Sequence, residues 1–211
     1  MKPLKIIAFD YDGVIVDSFD HNIEIVNKTL TQLGHQRLAT ADDLRNLKKM
    51  TFTQLGLDLG VDPKLVNELE LKTAQELINA TGRVDCFPGM VDFFVNISKY
   101  HKLAIISNTT SEAIITLLTE KGIIDCFATI YGGDHPGSKA EKLEDLSFKL
   151  KTHTSEICMV GDALSDIQAG KDAGTRTMAV TWGFQSEELL ATLQPDHIVR
   201  SIKDMNTTLT K

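Results

Sequence analysis

The sequence is poor in the features that mark several protein classes. Its three cysteines, Cys86, Cys126 and Cys158, are an odd set at wide spacing with no C-x-x-C pair. That disfavours a disulfide scaffold and a zinc cluster. Cys158, inside "EICMVGD", reads instead as a small core residue. No run of Lys and Arg exceeds a pair, the formal net charge is -7 and the pI is about 5.3. Duplex DNA and anionic membranes both select a basic face, so neither a nucleic-acid nor a membrane partner is expected. No apolar run approaches the length of a membrane span. The opening "MKPLKIIAFD" runs an apolar stretch into acids rather than into a cleavage site, and the expected setting is reducing and cytoplasmic. The phosphate-cradling patterns G-x-x-x-x-G-K-[ST] and, after the first strand, G-x-G-x-x-G are both missing.

With 211 residues, 42% of them hydrophobic, the chain suits one globular domain or one domain carrying a smaller insertion. Four short apolar runs end in polar residues. "LKIIAF" leads to Asp10, "KLAIIS" to Asn108 and Thr109, "EICMV" to Gly161 and Asp162, and "TMAV" to Thr181 and Trp182. Continuous apolar runs of this length, bounded by turn residues, suggest strands buried on both faces. "FATIYGG", residues 127–133, is a weaker fifth. Helical patterns fall between them over 89–100, 111–121, 139–151 and 164–173, with Ser111 an expected N-cap and Gly122 an expected C-cap. This alternation predicts an α/β fold, a Rossmann-like parallel sheet with helices on both faces. From about residue 18 to 82 no strand pattern occurs. That stretch reads as helices over 19–33, 40–48, 51–58 and 63–80. The expected organisation is a core of residues 1–17 and 83–211 with an α-helical insertion at 18–82. Gly13 and "TGRVDCFPG", residues 81–89, are the expected entry and exit hinges.

Ligands of open parallel sheets bind beyond the carboxyl ends of the strands. The topology therefore brings Asp10, Ser107 and Asp162 to one edge. Asp10 and Asp12 are two apart, which in extended chain puts both on one side. Two carboxylates ~4 Å apart repel by roughly 4 kcal/mol at an effective dielectric of 20. Asp162 and Asp166 add to the charge, so the edge calls for a cation. Oxygen-only donors suit Mg²⁺, and a nearby lysine would help. A carboxylate in such a site can be a nucleophile that forms an aspartyl-phosphate. A second, protonated one can serve the leaving oxygen.

In these motifs the chain resembles the haloacid dehalogenase-like hydrolase superfamily, in particular its small-molecule phosphatases of the phosphoglycolate phosphatase and β-phosphoglucomutase type. "DYDGVIVDS" is similar to the first motif. The resemblance implies that Asp10 is the nucleophile and a metal ligand. It implies that Asp12 is the acid/base, with its backbone carbonyl on Mg²⁺. "SNTT" is similar to the second motif, implying that Ser107 and the Asn108 amide hold phosphoryl oxygens. "GDALSD" is similar to the fourth, implying Asp162 as a metal ligand and Asp166 as a ligand or its neighbour. The third motif is a lysine, and here the usual lysine–proline pair is replaced by "PGSKAEKLEDL". Lys139, at the expected helix start, is preferred for balancing Asp10 and the phosphoryl group, with Lys142 as the competitor. The insertion sits where the family carries its cap.

The implied function is Mg²⁺-dependent hydrolysis of a small phosphorylated metabolite by a monomer or homodimer. A sugar phosphomutase uses the same Asp10 and Asp12. However, "KKMTF", residues 48–52, lacks the Gly-x-Ser-Arg stretch of the mutase-type cap. Dehalogenase and phosphonate-cleaving relatives lack the second acid. A non-catalytic binding protein on the same fold would be preferred only if an acid were missing. Plainer readings apply to other residues. Asp17 either caps the next helix or shapes a hinge. Arg45, Lys48 and Lys49 read as a solvated helix face before an anion site. His21, His135 and Trp182 read as structural.

Overall fold

The computed structural model describes residues 3–79 and 84–210. Six parallel strands, in spatial order β3-β2-β1-β4-β5-β6, form one sheet: β1 (Ile6–Phe9), β2 (Lys102–Ile106), β3 (Phe127–Tyr131), β4 (Ile157–Gly161), β5 (Arg176–Val180) and β6 (His197–Val199). β1 pairs with β2 on one side and β4 on the other, so the strand order reverses beside β1. A crevice opens at the carboxyl end of such a switch point.

The continuous apolar runs follow from burial on both faces. Alternate residues of a strand face opposite ways. Ile7 and Phe9 join Leu103, Ile105 and Val160 against α5 (Met90–Ile97), α6 (Ser111–Glu120) and α10 (Ile202–Leu209). Ile6 and Ala8 join Ala104, Ile106 and Met159 against Leu143 and Leu146 of α7 (Lys139–Lys149). Phe9 meets Phe93 and Phe94 edge-on, with ring centroids 6.1 and 5.2 Å away. Such pairs add about 0.5–1.5 kcal/mol each beyond their buried area. α8 (Leu164–Asp172) and α9 (Glu187–Ala191) complete the core.

Between β1 and α5 run α1 (Phe19–Gln32), α2 (Ala41–Arg45), α3 (Phe52–Leu59) and α4 (Val66–Asn79). Val26, Leu30, Leu44, Leu55 and Leu69 of these helices are buried together, and Phe184 from beyond β5 joins them. The chain enters and leaves this insertion as two adjacent segments: Phe87 N–H donates to Ile15 O and Asp17 N–H to Asp85 O, at 3.0 and 2.9 Å. Residues 81–83 of the expected exit hinge, and the boundary at 82/83, lie outside the described residues.

Several expectations need correction. β6, α9 and α10 were not expected. α2 stops at Arg45 rather than residue 48, because Ser186 N–H and the Gln185 side chain take the Arg45 and Leu47 carbonyls. α4 begins at Val66 rather than behind Pro63, because Asp62 turns the chain, its carboxylate accepting from Lys64 N–H and its carbonyl from Leu65 N–H. Ser111 is the first residue of α6 and not its cap, which is Thr110. Asp17 is exposed and caps nothing. The cap position of α1 is Ser18, which makes no side-chain capping bond. Among the described residues no helix is long and apolar enough to cross a membrane.

Candidate active site

Each acid is placed by the end of a strand or the start of a helix. Asp10 leaves β1 with its N–H on Val160 O and its Oδ1 accepting from Tyr11 N–H at 2.8 Å. The chain then folds back sharply at Gly13, whose φ is +72°. An L residue is disfavoured there by its backbone alone. Space forbids it as well, because a Cβ on Gly13 would lie 2.1 Å from Asp162 Oδ2. Asp162 follows β4 and is buried. Its Oδ2 accepts from Phe184 N–H at 2.6 Å. Gly183 closes in from another side, where a Cβ would lie 2.3 Å from the same oxygen. Asp166 is fully buried in the first turn of α8, its Oδ2 accepting from Ala163 N–H at 3.1 Å.

Side-chain oxygens of Asp10, Asp162 and Asp166 lie within 4.8 Å of one another. Lys139 meets them. Its ammonium is 2.8 Å from Asp10 Oδ2 and 2.6 Å from Asp166 Oδ1. It is aimed there by a capping box at the start of α7, in which Ser138 Oγ accepts from Glu141 N–H and Glu141 accepts from Ser138 N–H. Lys142, the competitor, is buried elsewhere and donates to Gly132 O at 2.8 Å. Lys139 is thus the lysine beside the acids.

The electrostatics describe a site short of positive charge. Burial, then the Asp166 and Asp10 charges, push Asp162 well above the carboxylate range. Burial chiefly raises Asp166 to about 6, the Asp10 charge adding to it and Lys139 opposing it. Burial alone would lower the Lys139 ammonium, but Asp10 and Asp166 outweigh it and hold it protonated. One ammonium faces three carboxylates. Oxygen-only donors, the close approach of Gly13 and Gly183 to the Asp162 carboxylate and this charge imbalance fit a hard divalent cation.

Asp12 stands apart from that cluster. Its Oδ2 accepts a short hydrogen bond from Thr109 Oγ1. Burial raises its pKa, with the Asp10 charge adding to it, while the Thr109 bond pulls the other way. Ser107 is buried at the end of β2, its Oγ accepting from Thr109 N–H at 3.1 Å, and Asn108 beside it is exposed. Of the plainer readings, His135 stacks on Tyr131 and Trp182 Nε1–H donates to Val14 O. Arg45 lies over the Phe19 ring, and Lys48 and Lys49 are exposed. His21 is half-buried on α1.

Sequence reasoning named neither Thr109 nor the Gly183–Gln185 turn as part of the site. Both lie in loops that leave the carboxyl ends of buried strands, Thr109 after β2 and the turn after β5, and so fall at the same sheet edge as Asp10.

Residues 7–180 match the family described as haloacid dehalogenase-like hydrolase, and the chain belongs to that family. It is 25% identical over 211 residues to a phosphoglycolate phosphatase of Synechococcus elongatus, covering 99% of this chain and 98% of that one. It is 27% identical over 210 residues to a pyrophosphatase of Anoxybacillus flavithermus, covering 96% and 95%. A haloacid dehalogenase-like family protein from Streptococcus pneumoniae superposes with a TM-score of 0.84 at 21% identity over 99% of both chains. That last likeness concerns the fold.

Proposed function

We propose that this protein is a Mg²⁺-dependent phosphatase of small phosphomonoesters acting through an aspartyl-phosphate. The observation that carries the reading is the convergence of Asp10, Asp162, Asp166 and Lys139 beyond β1 and β4. Asp10, Asp162, Asp166 and the Asp12 carbonyl would hold the ion, which supplies charge neutralisation between carboxylate and phosphoryl group. Asp10 attacks phosphorus as the bond to the leaving oxygen breaks. Asp12, its proton affinity raised, gives that oxygen a proton, then takes one from the water that cleaves the aspartyl-phosphate. Lys139 keeps Asp10 placed and offsets phosphoryl charge. Ser107 and the Asn108 amide receive phosphoryl oxygens. Residues 18–82 act as the cap over the site, a reading supported by the shared apolar cluster of their helices and by the paired entry and exit segments.

Relatives of similar identity are a phosphoglycolate phosphatase and a pyrophosphatase, so the compounds to test first are phosphoglycolate and pyrophosphate, followed by phosphosugars. Phosphate release is measured with Mg²⁺ and with EDTA. Turnover is expected only with the ion, and Asp10→Asn is expected to abolish it while preserving the circular dichroism spectrum. Near-normal release by Asp10→Asn, or full activity in EDTA, would overturn the mechanism.

A further inference from the structure

Residues 184–186 touch both the acid cluster and the helical insertion. Phe184 N–H holds Asp162 Oδ2, and the Phe184 ring packs edge-on against Phe19 of α1 with centroids 5.2 Å apart. Ser186 N–H donates to Arg45 O at 3.1 Å. Gln185, between them, is 1% exposed. Its Oε1 accepts from Leu164 N–H at 2.5 Å, at the start of the helix that carries Asp166. Its Nε2 donates to Leu47 O in the insertion. Its own N–H donates to Asp162 O at 3.3 Å. One partner is a donor and the other an acceptor, so the amide fits in a single orientation. A buried amide that loses either partner has no water to replace it.

We infer that Gln185 is a positioning residue that couples the placement of the helical insertion to the Asp162–Asp166 pair. The inference rests on the metal-dependent reading above. If the coupling exists, metal binding tightens the contact of the insertion with the 184–186 turn. By linkage, the insertion contact tightens metal binding by the same factor. A bond that merely stabilises the fold would do neither.

The test is amide hydrogen exchange with Mg²⁺ alone as the probe, alongside calorimetric Mg²⁺ affinity. In the wild type, Mg²⁺ is expected to slow exchange at residues 44–47 and at Ser186 by about fivefold or more. Gln185→Leu removes both side-chain bonds. It is expected to abolish that response and to weaken Mg²⁺ binding by a similar factor. Gln185→Glu keeps an acceptor for Leu164 N–H and, ionised, sets a carboxylate oxygen against Leu47 O in place of the donor. It is expected to behave like Gln185→Leu, and it carries the test if the leucine variant does not fold. Mg²⁺ binding with no change of exchange in the wild type would overturn the coupling. So would variants that melt earlier yet keep wild-type affinity and exchange response. Absence of Mg²⁺ binding to the wild type would sink the metal reading and the coupling together.

Discussion

Replacing Lys139 by methionine, which keeps much of the side-chain volume and removes the charge, tests how the acid cluster is held together. The ammonium lies 2.8 Å from Asp10 Oδ2 and 2.6 Å from Asp166 Oδ1. At an effective dielectric of about 20 each contact is worth about 6 kcal/mol of attraction. Desolvation of the buried ions offsets much of this, and removing one partner of a buried ion pair costs about 3–5 kcal/mol. The remaining carboxylates, with oxygens within 4.8 Å, repel by about 3.5 kcal/mol per ionised pair at that dielectric. In EDTA near neutral pH, Lys139→Met is therefore expected to lose about 3–5 kcal/mol of unfolding free energy. Urea unfolding followed by fluorescence of the single tryptophan, Trp182, reads this out by linear extrapolation. The pH dependence has a definite sign. Asp166 titrates at about 6 in the folded wild type against an ordinary value of 3.8, and loss of the ammonium raises it further. A raised carboxylate penalises the folded state above its folded pKa, and the penalty disappears as pH falls toward 3.8. The deficit of the variant should thus shrink on acidification. Mg²⁺ at 100 times its Kd should return about 2.7 kcal/mol without restoring turnover. Equal stability of the two proteins in EDTA, or a deficit that grows as pH falls, would refute the charge-balance reasoning.

Two further substitutions probe separate parts of the site. Gly13→Ala places a methyl group 2.1 Å from Asp162 Oδ2 at a φ of +72°. The backbone conformation alone costs about 1–2 kcal/mol, and calorimetry should show Mg²⁺ affinity lowered by at least about tenfold, as for disturbed supports of metal ligands. Wild-type affinity would contradict the assigned cradle. Thr109→Val removes the hydrogen bond that favours ionised Asp12. Asp12 then stays protonated to higher pH, so the alkaline limb of the rate profile moves up. The maximal rate is expected to fall about tenfold, a part of the roughly 10²–10⁴ that positioned acid–base catalysis supplies. An unmoved limb would separate Asp12 from the proton transfer.

The parts of the fold legible in the sequence are those whose burial leaves a pattern. β1, β2, β4 and β5 are apolar on both faces, and each stands out as a continuous run. β6 is three residues long at the sheet edge, with exposed His197 first, too short to show a period. The early end of α2 is decided by Gln185 and Ser186, about 140 positions along the chain, and no local signal carries that information. The acids were legible for a related reason. A charged residue directly after a buried strand is placed by the topology, whatever its distant partners are. The choice between Lys139 and Lys142 turned on a cap. Ser138 and Glu141 fix the first turn, which sends Lys139 to the acids and leaves Lys142 three residues on to meet Gly132 O. Thr109 escaped notice because its role depends on where the Asp12 side chain points after the Gly13 turn.

In the proposed mechanism, acids from the ends of β1 and β4 and the start of α8 hold one divalent ion. Anomalous diffraction from crystals soaked in Mn²⁺, a spectroscopic stand-in for Mg²⁺, tests it most directly. A single strong peak is expected in contact with oxygens of Asp10 and Asp162, lost in Asp162→Asn. Crystals with no peak between those residues, or with one confined to the protein surface, would contradict it.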